Sequence, residues 1–283
     1  MQEEKFNKEH RNDYFAVRSL YKKFEDDKGT HEELIEDVEP MFIRLSEDGD
    51  ECIKACDTGR KDVIEKFMFL PAMKKKEKDA TFCQSQAGTG KSYLTNDFVQ
   101  IYRMVNPENQ ILYFSLNLHD LDTSLTKSWY KFIDMKEFCE KLEEVSSDLN
   151  ALKEMSREFA NKLMIFDDIG KIKASKKQEK LLWTFIDSAC EDLRKVNTSV
   201  YVIMHTSRTG IQGKVLKEEM SKYIIFPRAL QSMNDRVIDA VFNFKKPVKK
   251  RIFNTKARWC AIDCLRKLVV SPTEIYMLPL FDD

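Results

Sequence analysis

The sequence predicts an α/β protein: a central, mainly parallel β-sheet flanked by helices, preceded by a smaller region of helices and a β-hairpin. Three observations predict it. Apolar strand patterns alternate with amphipathic helical patterns from residue 80 onward, and such alternation encodes a parallel sheet covered on both faces. A glycine-bearing loop separates the first strand of that series from its first helix. Glycine and proline number only 8 and 7 in 283 residues, so regular structure dominates over linkers and low-complexity tracts.

The length allows one large domain, or a core domain with a modest accessory region. A soft boundary falls near residue 70, giving an accessory region over 1–70 and a core domain over 71–283. In the first 40 residues Val17, Leu20, Tyr21 and Phe24 recur at helical spacing and Pro40 closes the stretch, which predicts helix. Met41–Ser46 and Glu51–Cys56 flank Glu47-Asp48-Gly49-Asp50 and predict a β-hairpin. Ala80–Gln84 is a strand. Leu94, Phe98, Ile101 and Tyr102 mark one face of a helix that ends before Pro107. Ile111–Leu116 is a strand, residues 128–160 carry helical patterns, and Lys162–Phe166 is a strand. Ser175 with Gln178 forms a capping box ahead of a long apolar helical stripe. Ser199–Met204 and Tyr223–Phe226 complete the series of strands.

Composition excludes several classes. The longest purely apolar runs span about five residues, against about 20 for a bilayer crossing, so no membrane span is expected. The acidic start, Met1-Gln2-Glu3-Glu4, lacks the apolar stretch of a secretory signal. Seven cysteines include the four-apart pairs Cys52/Cys56 and Cys260/Cys264, without nearby histidines. That spacing is a poor zinc signature, and reduced structural thiols are expected. The formal charge is zero, but residues 1–60 carry a net of −7 and residues 241–283 a net of +5. A neutral total therefore hides a basic C-terminal end suited to an anion.

The sharpest motif is Ser85-Gln86-Ala87-Gly88-Thr89-Gly90-Lys91-Ser92, which with Tyr93 forms the candidate nucleotide-binding stretch. It lies between a strand and an amphipathic helix, the context a phosphate-binding P-loop requires. Gly88 and Gly90 let the backbone turn its N–H groups toward phosphate oxygens, and the helix adds its positive N-terminal end. Lys91 reaches the β- and γ-phosphates, and Ser92 offers a hydroxyl to Mg²⁺. The strict pattern opens with glycine, where this chain has Ser85.

Leu163-Met164-Ile165-Phe166-Asp167-Asp168 is an apolar strand ending in two acids. Beside a P-loop this reads as a Walker B segment: Asp167 orders the Mg²⁺ shell and Asp168 polarises the attacking water. No Asn-Lys-x-Asp guanine-reading motif follows, since Asn161-Lys162 continues as Leu163-Met164, and no ABC-type signature loop is present. Hydrolysis of ATP coupled to motion is the better reading. His205 ends a third strand, where it is either a γ-phosphate sensor or a structural histidine.

From His205-Thr206-Ser207 the chain runs through Gly210 and Gly213 to Leu216-Lys217-Glu218-Glu219 and then Tyr223-Ile224-Ile225-Phe226-Pro227. A late Lys256-Ala257-Arg258-Trp259 precedes short strands ending at Ile275-Tyr276-Met277-Leu278. In these segments, with the Gly-Lys-Ser loop and the Asp-Asp strand end, residues 70–278 resemble the genome-packaging ATPases of large DNA viruses, virophages and Maverick-type elements. Those belong to the FtsK/HerA superfamily of P-loop (ASCE) DNA pumps. The resemblance implies a ring-forming ATPase, using ATP and Mg²⁺, that drives double-stranded DNA into a preformed capsid. It implies action in the host cytoplasm or at a viral assembly site. By motif position it makes Glu219 an active-site support residue or else a solvated helix charge. It makes Arg258 the candidate that completes a neighbour's site, or else a surface or DNA-contacting arginine, with Arg208 and Arg228 behind it. The first 60 residues carry no matching motif.

Lys245, Lys246, Lys249, Lys250 and Arg251, with Lys256 and Arg258, fall in residues 243–262, a stretch without an acid. Such a cluster gives sequence-independent, salt-sensitive DNA contact, docks on a capsid, or is a solvated face. Two readings compete with a packaging motor: a P-loop DNA translocase without a capsid, and a catalytically weak ATP-gated scaffold.

Overall fold

The computed structural model describes residues 1–26, 29–35, 37–46, 50–71, 79–116, 125–145, 149–169, 175–205, 218–229, 234, 238–239, 241–242 and 244–278. Two sheets organise them. The first is antiparallel and five-stranded, built from β1 (Gln2–Glu4), β2 (Tyr14–Asp26), β3 (Gly29–Leu34), β4 (Met41–Arg44) and β6 (Val63–Phe69). Its spine is β2, which pairs with β6 along one edge and with β4 and then β3 along the other.

The helix expected over the first 40 residues is therefore corrected to strands. The spacing of Val17, Leu20, Tyr21 and Phe24 satisfies a helical template by coincidence. In space Val17, Ser19 and Tyr21 are buried at the two-residue period of a strand, while Phe24 is exposed. What decides is pairing with Met41–Arg44 and Val63–Phe69, partners far along the chain. The expected hairpin is corrected too. Both strands form, but β4 pairs with β1 and β2 whereas β5 (Cys52–Lys54) joins the second sheet.

The second sheet has ten strands in the order β5-β15-β14-β13-β12-β7-β11-β10-β8-β9. Here β7 is Ala80–Gln84, β8 Gln110–Ser115, β9 Lys131–Asp134, β10 Lys162–Asp167, β11 Ser199–Met204 and β12 Lys222–Ile225. These six run parallel. The antiparallel extension is β13 (Cys260–Asp263), β14 (Leu268–Val270), β15 (Glu274–Met277) and β5. Strand β9 is an edge strand in a stretch whose pattern reads as helix; its four residues are too few to show a period of their own.

The inner parallel strands are mostly apolar because helices and the first sheet cover them on both sides. Met164 and Phe166 of β10 face one core, with α2 (Met135–Glu144), α3 (Leu149–Arg157) and α4 (Lys176–Val196). Leu163 and Ile165 face the other, with α1 (Lys91–Val105) and the first sheet. Phe69 of β6 stacks on Phe98 of α1 at 5.0 Å and meets Trp259 edge-on at 5.8 Å. The capping box opens α4 as predicted: Ser175 N–H donates to Gln178 Oε1 at 3.0 Å, and Gln178 N–H donates back to Ser175 Oγ at 3.1 Å. At the opening of β7, Asp79 and Lys222 form a buried ion pair of 3.0 Å. No helix among the described residues is long and apolar enough to cross a membrane. All seven cysteines are unpaired, and burial pushes the Cys83 and Cys264 thiols up to about 12.

Candidate active site

The site lies at the edge of the second sheet where the parallel strands end. Strand β7 runs into the phosphate loop, and α1 starts at Lys91. Gly88 and Gly90 have φ of +77° and +95°, in the left-handed region that favours glycine. Ser85 has no such φ, so a side chain is tolerated there. It is buried, and its N–H donates to Met204 O at 3.1 Å, tying the loop to β11. Lys91 Nζ donates to Ser85 O at 3.0 Å and Gln86 O at 2.7 Å, so the ammonium is folded into the loop's own concavity.

The same ammonium lies 3.3 Å from His205 Nδ1, and His205 Nε2 lies 2.6 Å from Asp168 Oδ1. An ammonium only donates, so Nδ1 is the acceptor toward Lys91, while the Nε2–Asp168 approach is an ion-pair distance without hydrogen-bond geometry. Three residues singled out separately in the sequence thus form one chain, Lys91–His205–Asp168. Asp168 is held at φ +57°, with its N–H donating to Ile203 O at 3.1 Å.

Asp167 closes β10, and its Oδ2 accepts from Tyr113 Oη at 2.9 Å. Sequence reasoning missed Tyr113. It sits mid-strand in an apolar run, and only the parallel register of β8 against β10 brings it beneath Asp167. Ser92 stands in the first turn of α1 at the same sheet edge. A serine hydroxyl and a carboxylate are the hard oxygen donors Mg²⁺ takes while it keeps several waters. No cluster of three or more His, Cys, Asp or Glu that could hold a metal alone is found among the described residues.

Two of the expected site residues are placed otherwise. Glu219 lies two residues before Ser221, whose N–H donates to Ala80 O at the start of β7. The phosphate loop is at the other end of that strand, roughly 15 Å away at strand rise. The strand that follows Glu219, β12, starts beside the opening of β7, so Glu219 stands away from the loop rather than beside it. Arg258 approaches the phosphate loop of its own chain. Its Nε–H donates to Thr89 O at 2.8 Å, and a Cβ at Gly90 would stand 2.6 Å from its Nη2. Service to a neighbouring subunit would require that bond to open. Arg228 is used internally, donating to Lys256 O at 2.7 Å. Thr206, Ser207, Arg208, Gly210, Gly213, Leu216 and Lys217 lie outside the described residues.

The basic segment forms α5 (Lys246–Phe253), capped by Lys245. Acids from elsewhere in the chain temper it. Lys249 pairs with Asp239, and Arg251 lies 3.6 Å over the Tyr276 ring with Glu274 Oε2 at 3.9 Å. Lys245, Lys246 and Lys250 are exposed. Acid-free along the sequence, the segment is not acid-free in space.

This arrangement defines a class: an α/β fold with a mainly parallel sheet and a P-loop, whose acidic and polar strand ends converge on the loop lysine. No protein-family model and no curated protein matches the chain. Among solved structures it is similar to the genome packaging NTPase B204 from Sulfolobus turreted icosahedral virus 2 in complex with ATP-gammaS. The identity is 15% and the TM-score 0.44, over 71% of this chain and 98% of that one. It is also similar to the pCW3 conjugation coupling protein TcpA with ATPgS, at 8% identity and a TM-score of 0.44, over 84% and 73%. A third is Thermomonospora curvata EccC, at 12% identity and a TM-score of 0.43, over 75% and 38%.

Proposed function

We propose that this chain is an ATPase that binds ATP with Mg²⁺ at the phosphate loop and uses hydrolysis to drive double-stranded DNA into a preformed capsid as a homo-oligomeric ring. The observation that carries the enzymatic part is the chain Lys91–His205–Asp168 beside Asp167. It gathers a phosphate-binding cation, a histidine and two carboxylates at one strand-end edge.

In this reading Lys91 exchanges the carbonyls of Ser85 and Gln86 for oxygens of the β- and γ-phosphates. Ser92 and Asp167 would hold the Mg²⁺, which supplies charge neutralisation on the phosphates. Asp168 orients the attacking water and accepts its proton. His205 stands between the Asp168 carboxylate and the Lys91 ammonium, so movement of the ammonium reaches the base through the imidazole. Exposed Lys245, Lys246 and Lys250 suit a phosphate backbone without regard to sequence. The capsid and the ring rest on the resemblance of the motifs.

The test is ATP turnover with and without long double-stranded DNA. Stimulation by DNA is expected, with Lys91→Ala losing about 10²–10³-fold in rate in a folded protein. Unchanged turnover in that variant would remove the phosphate-loop assignment. Asp168→Asn is expected to retain Mg-ATP without hydrolysing it. Co-sedimentation with empty capsids separates a packaging motor from a DNA translocase without one.

A further inference from the structure

A cavity of about 550 Å³ adjoins the phosphate loop. Its walls include Gly90, Tyr93 and Asp97 of the loop and α1, Glu32 and Lys66 of the first sheet, and Arg258. Its position follows from strand order. On one side of β7 lie β11 and β10, which carry His205 and Asp167; on the other lie β12 and β13, and Arg258 precedes β13. A nucleotide whose terminal phosphate faces the acids must leave the loop on the Arg258 side, where this cavity opens. Asp97 stands seven residues after Gly90, about 10 Å along the helix, comparable with the length of a nucleoside. Tyr93, one turn before Asp97, is 47% exposed and offers an aromatic face at the mouth.

We infer that this cavity receives the nucleoside part of the nucleotide and that Asp97 selects adenine over guanine. The inference rests on the phosphate-loop reading above and adds a specificity-determining residue and a role for the N-terminal sheet. No hydrogen bond reaches the Asp97 carboxylate from the described residues, although it lies among charged and polar neighbours. Lys66, bonded to Glu32 and over the Tyr21 ring, is one neighbour; Glu32, Tyr21 and Tyr130 are the others. Glu65, Lys256 and Arg258 line the remaining wall. Burial pushes the carboxyl up to about 7; Lys66 opposes that rise and Glu32 adds to it.

A protonated carboxyl presents one donor and one acceptor side by side. That matches the adenine edge, where an amino donor adjoins a ring-nitrogen acceptor. An ionised carboxylate presents acceptors only and matches the paired N–H donors of guanine. Adenine preference is therefore strongest below pH 7 and declines as the pH rises through the carboxyl's range.

Calorimetric titration of the full chain with ATP, GTP and inorganic tripolyphosphate at pH 6.5 and pH 8 tests this. The wild type is expected to favour ATP over GTP by about 5- to 100-fold at the lower pH, and by less at the higher. Asp97→Asn retains a donor and an acceptor at any pH, so it should keep the preference and lose its pH dependence. Asp97→Ala should lose the preference while binding tripolyphosphate as the wild type does. Equal affinity of the wild type for ATP and GTP, or an unaltered preference in Asp97→Ala, overturns the inference and leaves the phosphate loop standing. Failure of the wild type to bind tripolyphosphate, with ATP binding indifferent to Lys91→Ala, overturns both.

Discussion

Replacing Gly90 by alanine tests the contact between the phosphate loop and Arg258. Two costs are expected. The first is conformational: φ is +95° at Gly90 and +77° at Gly88, and an alanine in that region costs about 1–2 kcal/mol. The second belongs to Gly90 alone. Its added Cβ would stand 2.6 Å from Arg258 Nη2 and 2.7 Å from Cζ, whereas nothing lies within 4 Å of a Cβ at Gly88. Arg258 is exposed and its side chain flexible, so it would swing away rather than hold the clash. What is lost is its bond to Thr89 O, worth about 1 kcal/mol. Gly90→Ala should therefore lower stability by about 1 kcal/mol more than Gly88→Ala, a further 2–4 °C in Tm for a domain of roughly this size. The assay is thermal unfolding of both variants, each also in an Arg258→Ala background. There the excess at Gly90 should vanish, leaving the two alanines with similar costs. If the excess survives removal of Arg258, the guanidinium is not what Gly90 accommodates, and its placement on its own phosphate loop is refuted.

Tyr113→Phe should raise the Mg²⁺ concentration for half-maximal turnover by about 10-fold, since a hydrogen bond that orients a ligating carboxylate commonly contributes that much to metal affinity. An unshifted Mg²⁺ titration would show that Tyr113 does not position Asp167. Changing Lys245, Lys246 and Lys250 together to glutamate should flatten the log–log salt dependence of DNA binding by about 2.7, or about 0.9 per contact, while DNA-free turnover stays intact. An unchanged slope would place DNA elsewhere. Lys222→Ala should cost about 3–5 kcal/mol in urea unfolding by leaving Asp79 buried and unpaired, whereas a loss under 1 kcal/mol would mean that water reaches the carboxylate.

Features carried by neighbouring residues were legible in the sequence. The loop Gly88-Thr89-Gly90-Lys91-Ser92 opens a helix because its glycines permit positive φ just where the helix begins. The Ser175–Gln178 capping box and the apolar strands before Gln84, Asp167 and His205 depend on contacts within a few positions, and they form where expected. Other features depend on which distant strand lies alongside, and local pattern does not carry that. The Val17–Phe24 spacing fits a helix, yet Met41–Arg44 and Val63–Phe69 draw that segment into a sheet. Tyr113 reaches Asp167 through a register between strands some fifty residues apart. Glu219 follows the motif order but precedes β12, which begins at the end of β7 away from the loop. Asp239 and Glu274 temper a basic segment that contains no acid of its own. The sequence by itself determined the glycine-bearing loop at the start of α1, the acidic strand end and the parallel core, because backbone turns and apolar periodicity are local. Tertiary structure decided what surrounds them, because strand register and side-chain pairing bring together residues that share no local signal.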